Sequence, residues 1–447
     1  MTHSFRRLVF VSTLALLAAT AAASAASADV DAAFKAFWAA STQQDAAKVV
    51  PDLLRSGVTV DEALKRLKAG RPYSAIVPKG VVKASYKAHG KEFFYAVNVP
   101  ESYDPAGRYQ VRFQLHGGVM RPSNQPRGDG TIGALAGDEQ LYIIPYAWAD
   151  APWWDEEQLD NLSVILDTVK RTYNVDENRV AVAGVSDGGT GAFYIAMRNT
   201  TPFASFLTLN GNMLVLRSED IRAGDLFPNN LRNKPWFVVN GGRDPLYPAS
   251  SVGPYLDHLK KKGVDMVYKP QPNGVHNTAW WPEVKDSFEA FVRNHPRTPL
   301  AETVTWETNG KPIDNRAGWL VIDKLAPKGR NEPDLPDVNL LTDVGPLGPA
   351  DRTGPMIFDN THPSGRVDLV RTGNTVTATT RGVAEFTLLV SPDAFDLSQP
   401  VKVEANGRTV FNGRVDPSVS TLLKWAARDN DRTMLFVAEL RISLASR

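Results

Sequence analysis

Residues 178–196 read NRVAVAGVSDGGTGAFYIA, and they decide how the rest of the chain is read. Val180-Ala181-Val182-Ala183 is strand-like, Gly184-Val185-Ser186-Asp187-Gly188-Gly189 is a tight turn, and an apolar helix is expected from Gly189 to Arg198. This is G-x-S-x-G in the strand–turn–helix setting that gives the motif its meaning. The flanking glycines are required because side chains at 184 and 188 would collide with the neighbouring strand and helix. Such a turn lifts the Ser186 hydroxyl above a sheet, at the positive end of the following helix.

A serine hydroxyl is a poor nucleophile at neutral pH, so a base must take its proton and a carboxylate must orient that base. A strand over 235–240 runs into Gly241-Gly242-Arg243-Asp244-Pro245, which puts Asp244 at the carboxyl edge of a sheet. A later strand over 267–270 runs into Asn273-Gly274-Val275-His276-Asn277, which puts His276 before the last helix of this region. Ser, Asp, His is the chain order this arrangement needs. The plainer readings are a turn or capping role for Asp244 and a structural loop role for His276. A tetrahedral intermediate also needs donors for its oxyanion. His116-Gly117-Gly118, at the end of a strand over 109–115, fits that backbone role, with the Asp187 N–H as second donor. Gly117 and Gly118 are both candidates.

Around this centre, strands and helices alternate. Strands are expected at 81–88 and 93–99, joined by a hairpin through His89-Gly90, and at 109–115, 141–146, 179–185, 206–210, 236–240 and 266–270. Helices are expected at 156–173, 189–198, 249–262 and 282–294. The pattern predicts an α/β fold, a mostly parallel sheet with helices on both faces, over residues 80–299. Residues 29–79 read as an N-terminal cap with two short amphipathic helices. Residues 300–364 read as a β-containing extension and linker, with seven prolines from Pro327 to Pro363 that no helix could run through. Residues 365–447 read as a small C-terminal β-rich domain with one helix near 422–427.

These residues carry a resemblance. The segments NRVAVAGVSDGGTGAFYIA and NGGRDPLYP (240–248) are similar to the nucleophile turn and acid loop of the α/β-hydrolase superfamily, closest to its secreted esterase and polyhydroxybutyrate-depolymerase-like branch. The resemblance covers about half of the chain, roughly 80–296. It implies Ser186 as nucleophile, His276 as base, Asp244 as its orienting acid, and no cofactor. Asp187 stands where many such esterases carry a small residue, which leaves the substrate class open.

Trp154, Trp280, Trp281 and Arg121 fall in segments expected near the site and are candidate substrate contacts; packing of helix ends and a solvated loop are the plainer readings. Trp148 and Trp153 lie in the same segments. Residues 1–28, with Arg6-Arg7, an apolar run and Ala26-Ser27-Ala28, read as an export signal too short to anchor the chain in a membrane. The expected location is therefore the periplasm or the exterior. Fifty basic against 49 acidic residues give a net charge of +1, with no basic stripe to suit nucleic acid. Without cysteine the chain forms no disulfides, and its seven histidines show no zinc-binding spacing. The expected activity is hydrolysis of a small or polymeric ester through an acyl-enzyme. The alternatives are a serine peptidase of prolyl-oligopeptidase type and a polymer-binding module on a hydrolase scaffold.

Overall fold

The computed structural model describes residues 29–126, 128–217, 226–327 and 363–444. The expected export segment, Arg127 and nearly all of the proline-rich stretch lie outside them. The chain forms two compact units, one built on residues up to Pro72 with Asp416–Ala438, the other on Tyr73–Val415 with the residues from Glu439 onward.

The smaller unit is helical. It holds α1 (29–39), α2 (Gln43–Arg55), α3 (Val60–Ala69) and α8 (Val419–Asp429). The apolar periodicity predicts two helices before Gly70, and three form. The hydroxyls of Thr42 and Thr59 accept from the N–H groups of Asp45 and Glu62, and each cap starts a new helix. Arg71 lies over the Trp38 ring and donates to Trp38 O and to Asn430 Oδ1 just past α8. The helix expected inside the C-terminal β-rich region therefore groups with the N-terminal ones.

The larger unit is a mixed α/β structure. Its sheet contains β1 (Gly80–Ala88), β2 (Lys91–Val99), β3 (Tyr109–Leu115), β4 (Leu141–Pro145), β5 (Val175–Val185), β6 (Ser205–Leu209), β7 (Trp236–Val239) and β8 (Met266–Tyr268), in the order 1-2-4-3-5-6-7-8. The strands from β4 to β8 pair in parallel. At the other side the sheet is mixed: β2 is antiparallel to β1, as the expected hairpin requires, and antiparallel to β4 as well. A two-residue turn at His89-Gly90, with φ of 52° and 72°, allows no other direction for that pair. β6 and β7 are buried at every position, as strands covered on both faces must be, while β1 alternates half-buried and exposed residues.

Side-chain alternation sorts the helices between the faces. Phe113, Val180, Val182, Phe206 and Trp236 pack with residues of α4 (Glu156–Thr172), α5 (Asp187–Arg198) and α6 (Ala249–Lys261). Ala181, Ala183, Leu207, Phe237 and Val239 pack instead with Val284, Phe288 and Phe291 of α7 (Trp281–Asn294).

Among the described residues, nine further strands make two more sheets. One holds, in order, β10 (Arg316–Ala317), β11 (Leu320–Leu325), β14 (Val383–Val390) and β17 (Ala438–Ser443); the other holds β16 (Arg408–Gly413), β15 (Val401–Ala405), β13 (Thr375–Arg381), β12 (Gly365–Thr372) and β9 (Thr303–Thr308). β9 pairs with β12, and β11 with β14. No boundary therefore falls between residues 364 and 365: strands from either side of the proline-rich stretch share sheets. Two polar clusters fasten this region to the α/β sheet. Arg198, wholly buried at the end of α5, donates to Asp314 at 2.5 Å and to Glu156 at 2.9 Å. The Asn230 carboxamide exchanges hydrogen bonds with the backbone of Glu307, at 2.8 Å each.

On the α7 face, Arg112 of β3 meets Glu289 at 2.8 Å, with both side chains no more than 2% exposed. Arg112 also donates to Leu135 O and sits over the Tyr142 and Phe288 rings. Removing one partner of such a pair strands the other charge in a dry interior. Glu289→Ala is expected to lower the unfolding free energy by about 3–5 kcal/mol, whereas the double change Arg112→Met with Glu289→Leu costs far less. Urea unfolding of both variants checks this; equal losses would contradict it.

Candidate active site

The crossing order of the strands opens a crevice before any side chain is considered. From β3 the chain moves to β4 on one side, and from β4 it returns to β5 on the other. The loops after β3 and β5 thus diverge at the carboxyl ends of adjacent strands, the place where open α/β sheets bind ligands.

Ser186 stands at that point with φ 54° and ψ −119°, a conformation rarely adopted by residues other than glycine. Three backbones meet beneath it. A Cβ on Gly184 would lie 2.0 Å from Gly188 O, one on Gly188 would lie 2.3 Å from Leu115 O, and one on Gly117 would lie 2.8 Å from Ser186 Cβ. The turn is held by Ser186 N–H donating to Leu209 O at 2.9 Å and by Ser186 O accepting from Thr190 at 3.0 Å. The latter is a first-turn bond of α5, which begins at Asp187, two residues before the predicted start.

Asp244 and His276 approach because the loops after β7 and β8 interlock through main chain. Gly242 N–H donates to Gln271 O at 2.7 Å and Arg243 N–H to Gly274 O at 2.9 Å. A Cβ on Gly241 would lie 2.4 Å from Gly274 O, so glycine is needed there too. Asp244 is buried; its Oδ1 accepts from the N–H groups of Leu246 and Tyr247 at 2.8 and 2.9 Å. Its Oδ2 lies 2.7 Å from His276 Nδ1, and His276 Nε2 lies 2.9 Å from Ser186 Oγ. A carboxylate can only accept, so Nδ1 carries the proton and Nε2 presents its lone pair to the hydroxyl. The Tyr247 ring stands edge-on to the imidazole at 5.4 Å. Burial, then the charges of Asp187 and Asp244, push its phenol above the ordinary value, so Tyr247 stays neutral beside them.

The loop after β3 is fixed as firmly. His116 Nε2 accepts from Ala147 N–H at 3.1 Å, which leaves Nδ1 to donate to Gly117 O at 2.8 Å. Trp153 Nε1 donates to His116 O at 2.8 Å. Asp187 Oδ2 accepts from Val119 N–H at 3.0 Å, tying the residue after Ser186 to the residue after Gly118. Gly117 lies against Ser186, and Gly118 has φ 67° with open space around it.

Sequence reasoning missed two groups that hold this geometry. Tyr247 is one, and Asn210 is the other: with φ 50°, it accepts from Gly241 N–H at 3.1 Å and donates to Asn277 O at 2.8 Å, bridging three loops. The only local signal is its place directly after a strand. Arg121 lines a cavity of about 490 Å³ beside the glycine loop and reaches His116 Nε2 at 3.1 Å. The tryptophans are placed differently from expectation. Trp280 and Trp281 are buried in the apolar cluster between sheet and α7, and Trp154 packs half-buried against the main core; none of them lines that cavity. Trp280 is the N-cap and Trp281 the first residue of α7, so both belong to the helix whose residues cover this face of the sheet.

No protein-family model and no curated protein matches the chain. Among solved structures it is similar to a thermostable esterase, at 20% identity and a TM-score of 0.39, over 48% of this chain and 63% of that one. A ferulic acid esterase matches at 18% identity and a TM-score of 0.38, over 48% and 98%. S-formylglutathione hydrolase of Staphylococcus aureus matches at 17% and 0.35, over 49% and 100%. The chain thus spans less than two thirds of the first of these. At such values nothing about a reaction passes from those proteins to this one.

The backbone crossing makes a graded prediction. Gly184→Ala and Gly188→Ala press a methyl into main-chain carbonyls and should each cost about 3 kcal/mol, the upper end for overpacking. Gly118→Ala meets only the left-handed penalty, about 1–2 kcal/mol. Denaturant midpoints of the three variants give the ranking; equal costs would contradict the crossing as the cause.

Proposed function

We propose that this chain is a serine hydrolase of α/β-hydrolase type that cleaves carboxylic esters through an acyl-enzyme. The observation that carries the reading is the hydrogen-bonded series Ser186 Oγ, His276 Nε2, His276 Nδ1, Asp244 Oδ2, at 2.9 and 2.7 Å, on a strained strand–turn–helix.

In the proposed cycle Ser186 Oγ attacks the ester carbonyl carbon while His276 Nε2 takes the hydroxyl proton. Buried Asp244 holds the tautomer of the neutral imidazole and stabilises the imidazolium once it forms. The negative charge forming on the carbonyl oxygen is met by the Asp187 N–H at the start of α5 and by an N–H of Gly117 or Gly118. Collapse expels the alcohol, which leaves with the proton from His276, and Ser186 remains acylated. Water then repeats the attack with His276 as base, releasing the acid and restoring the hydroxyl.

The acyl-enzyme chemistry would serve an amide as well. The resemblance of residues 178–196 and 240–248 to secreted esterases supports the ester. The same reading takes residues 1–28 as an export signal and the substrate as a small or polymeric ester met outside the cytoplasm.

Ser186→Ala should reduce hydrolysis of p-nitrophenyl butyrate by about 10⁶-fold in kcat and abolish labelling by a fluorophosphonate. Asp244→Asn, which keeps the shape but not the tautomer, should cost about 10⁴-fold. Steady-state kinetics and labelling read both. Retained turnover in the Ser186 variant would reject the nucleophile.

A further inference from the structure

A residue lining the cavity beside Ser186 holds a buried donor with nothing to bond. The cavity, about 490 Å³, is in the size range of small-molecule sites and lies beside the loop over 128–135. Gln114 and Arg112 share one face of β3, being two residues apart. Gln114 lines the cavity together with Ile132, Leu135, Ile144, Tyr146 and Arg121.

Gln114 is 6% exposed, and its carboxamide Nε2, closed off from solvent, has no hydrogen-bond partner among the described residues, so a turn of the amide is needed to bring it into the cavity. A buried donor left unmade costs about 1–3 kcal/mol, and folded proteins keep few of them without a reason.

The walls are preformed. Asn98 Nδ2 donates to Gly130 O and its Oδ1 accepts from Ile132 N–H, both at 2.7 Å, which pins the loop over the sheet. Gly130 has φ 86°, and a Cβ there would come within 3.0 Å of Ala96. Register fixes how far the Gln114 backbone stands from the reacting centre. Gln114 pairs with Ala183 of β5, three residues before Ser186. At the rise of a strand, this is roughly 10 Å back along β5.

We propose that this cavity receives an arm of the ester that carries a hydrogen-bond acceptor several bonds from the scissile carbonyl, and that Gln114 is the group selecting for it. The inference rests on Ser186 being the nucleophile and adds the substrate class. An ether, hydroxyl or carbonyl oxygen on the arm accepts from Gln114 Nε2–H, and the terminal torsion of glutamine, broad in its preferences, turns the amide to meet it. The aliphatic walls take the methylenes. The arm belongs to either the acyl or the alcohol side of the ester; the chemistry is the same, and the two sides are told apart by experiment.

The test is an oxygen scan in two arms. One series is p-nitrophenyl heptanoate and its analogues with one chain methylene replaced by oxygen at successive positions from the fourth carbon onward; the other is heptyl acetate with replacements from the third carbon of the heptyl chain onward. In one series an oxygenated ester should exceed the all-carbon ester in kcat/KM by about tenfold, the worth of one buried hydrogen bond. Gln114→Leu should bring that ratio to about one, and a native circular-dichroism spectrum shows that the variant folds. Gln114→Met, closer in shape, should do the same. Absence of any oxygen preference in the wild type, or a preference that survives both variants, overturns the proposal while leaving the nucleophile untouched. If the wild type hydrolyses no ester and a fluorophosphonate does not label Ser186, the nucleophile reading fails and this proposal fails with it.

Discussion

The close passage of three backbones beneath Ser186 is the constraint on which the rest of the site depends. Gly184, Gly188 and Leu115 leave no room for a methyl group where they cross, and that contact holds the serine in a conformation with φ 54°. Strain of this kind, about 1–3 kcal/mol for one residue, persists only where the surroundings over-determine it. Here they do: the turn is bonded on one side to β6 and on the other to the first turn of α5. Since β3 and β5 are neighbours, the same crossing brings the glycine loop after β3 against the serine.

What is gained is preorganisation. The Ser186 hydroxyl, the imidazole and the buried carboxylate are each held by groups that take no part in the proposed chemistry. Asp244 is fixed by two main-chain donors, His276 is flanked by Tyr247, and Asn210 clamps the loops after β7 and β8. The carboxylate of Asp187 adds a link of its own, joining the elbow to the loop after β3. Aligning groups before reaction is where such sites find much of their rate. Deeper in the sheet, the Arg112 and Glu289 pair steadies the loop that walls the neighbouring cavity through its bond to Leu135 O.

Much of this was legible in the sequence because it is local or follows chain order. The strand–turn–helix around Ser186 is written in Gly184 and Gly188. The loops after β7 and β8 are marked by Gly241-Gly242 and Gly274, and the hairpin by His89-Gly90. What could not be read depends on partners distant in the chain. The pairing of β9 with β12 joins residue 308 to residue 365, and no periodicity in either segment announces the other. The grouping of α8 with the N-terminal helices turns on Arg71 meeting Asn430, more than 350 residues away. Trp280 and Trp281 misled for a similar reason: an aromatic beside a catalytic-type loop looks the same in sequence whether it faces the crevice or the sheet. Gln114 gave no signal at all, since a glutamine in a strand has meaning only when its amide is seen to lack a partner.

The central claim, that Ser186 becomes covalently acylated with His276 as its base, is tested most directly by rapid acid quench during turnover of an ester, followed by mass analysis of the peptide that carries Ser186. Acyl transfer predicts the acyl mass on that serine in the wild-type protein and its absence in His276→Ala. Steady turnover with no acyl group ever found on Ser186, or with the acyl group on another residue, would contradict it.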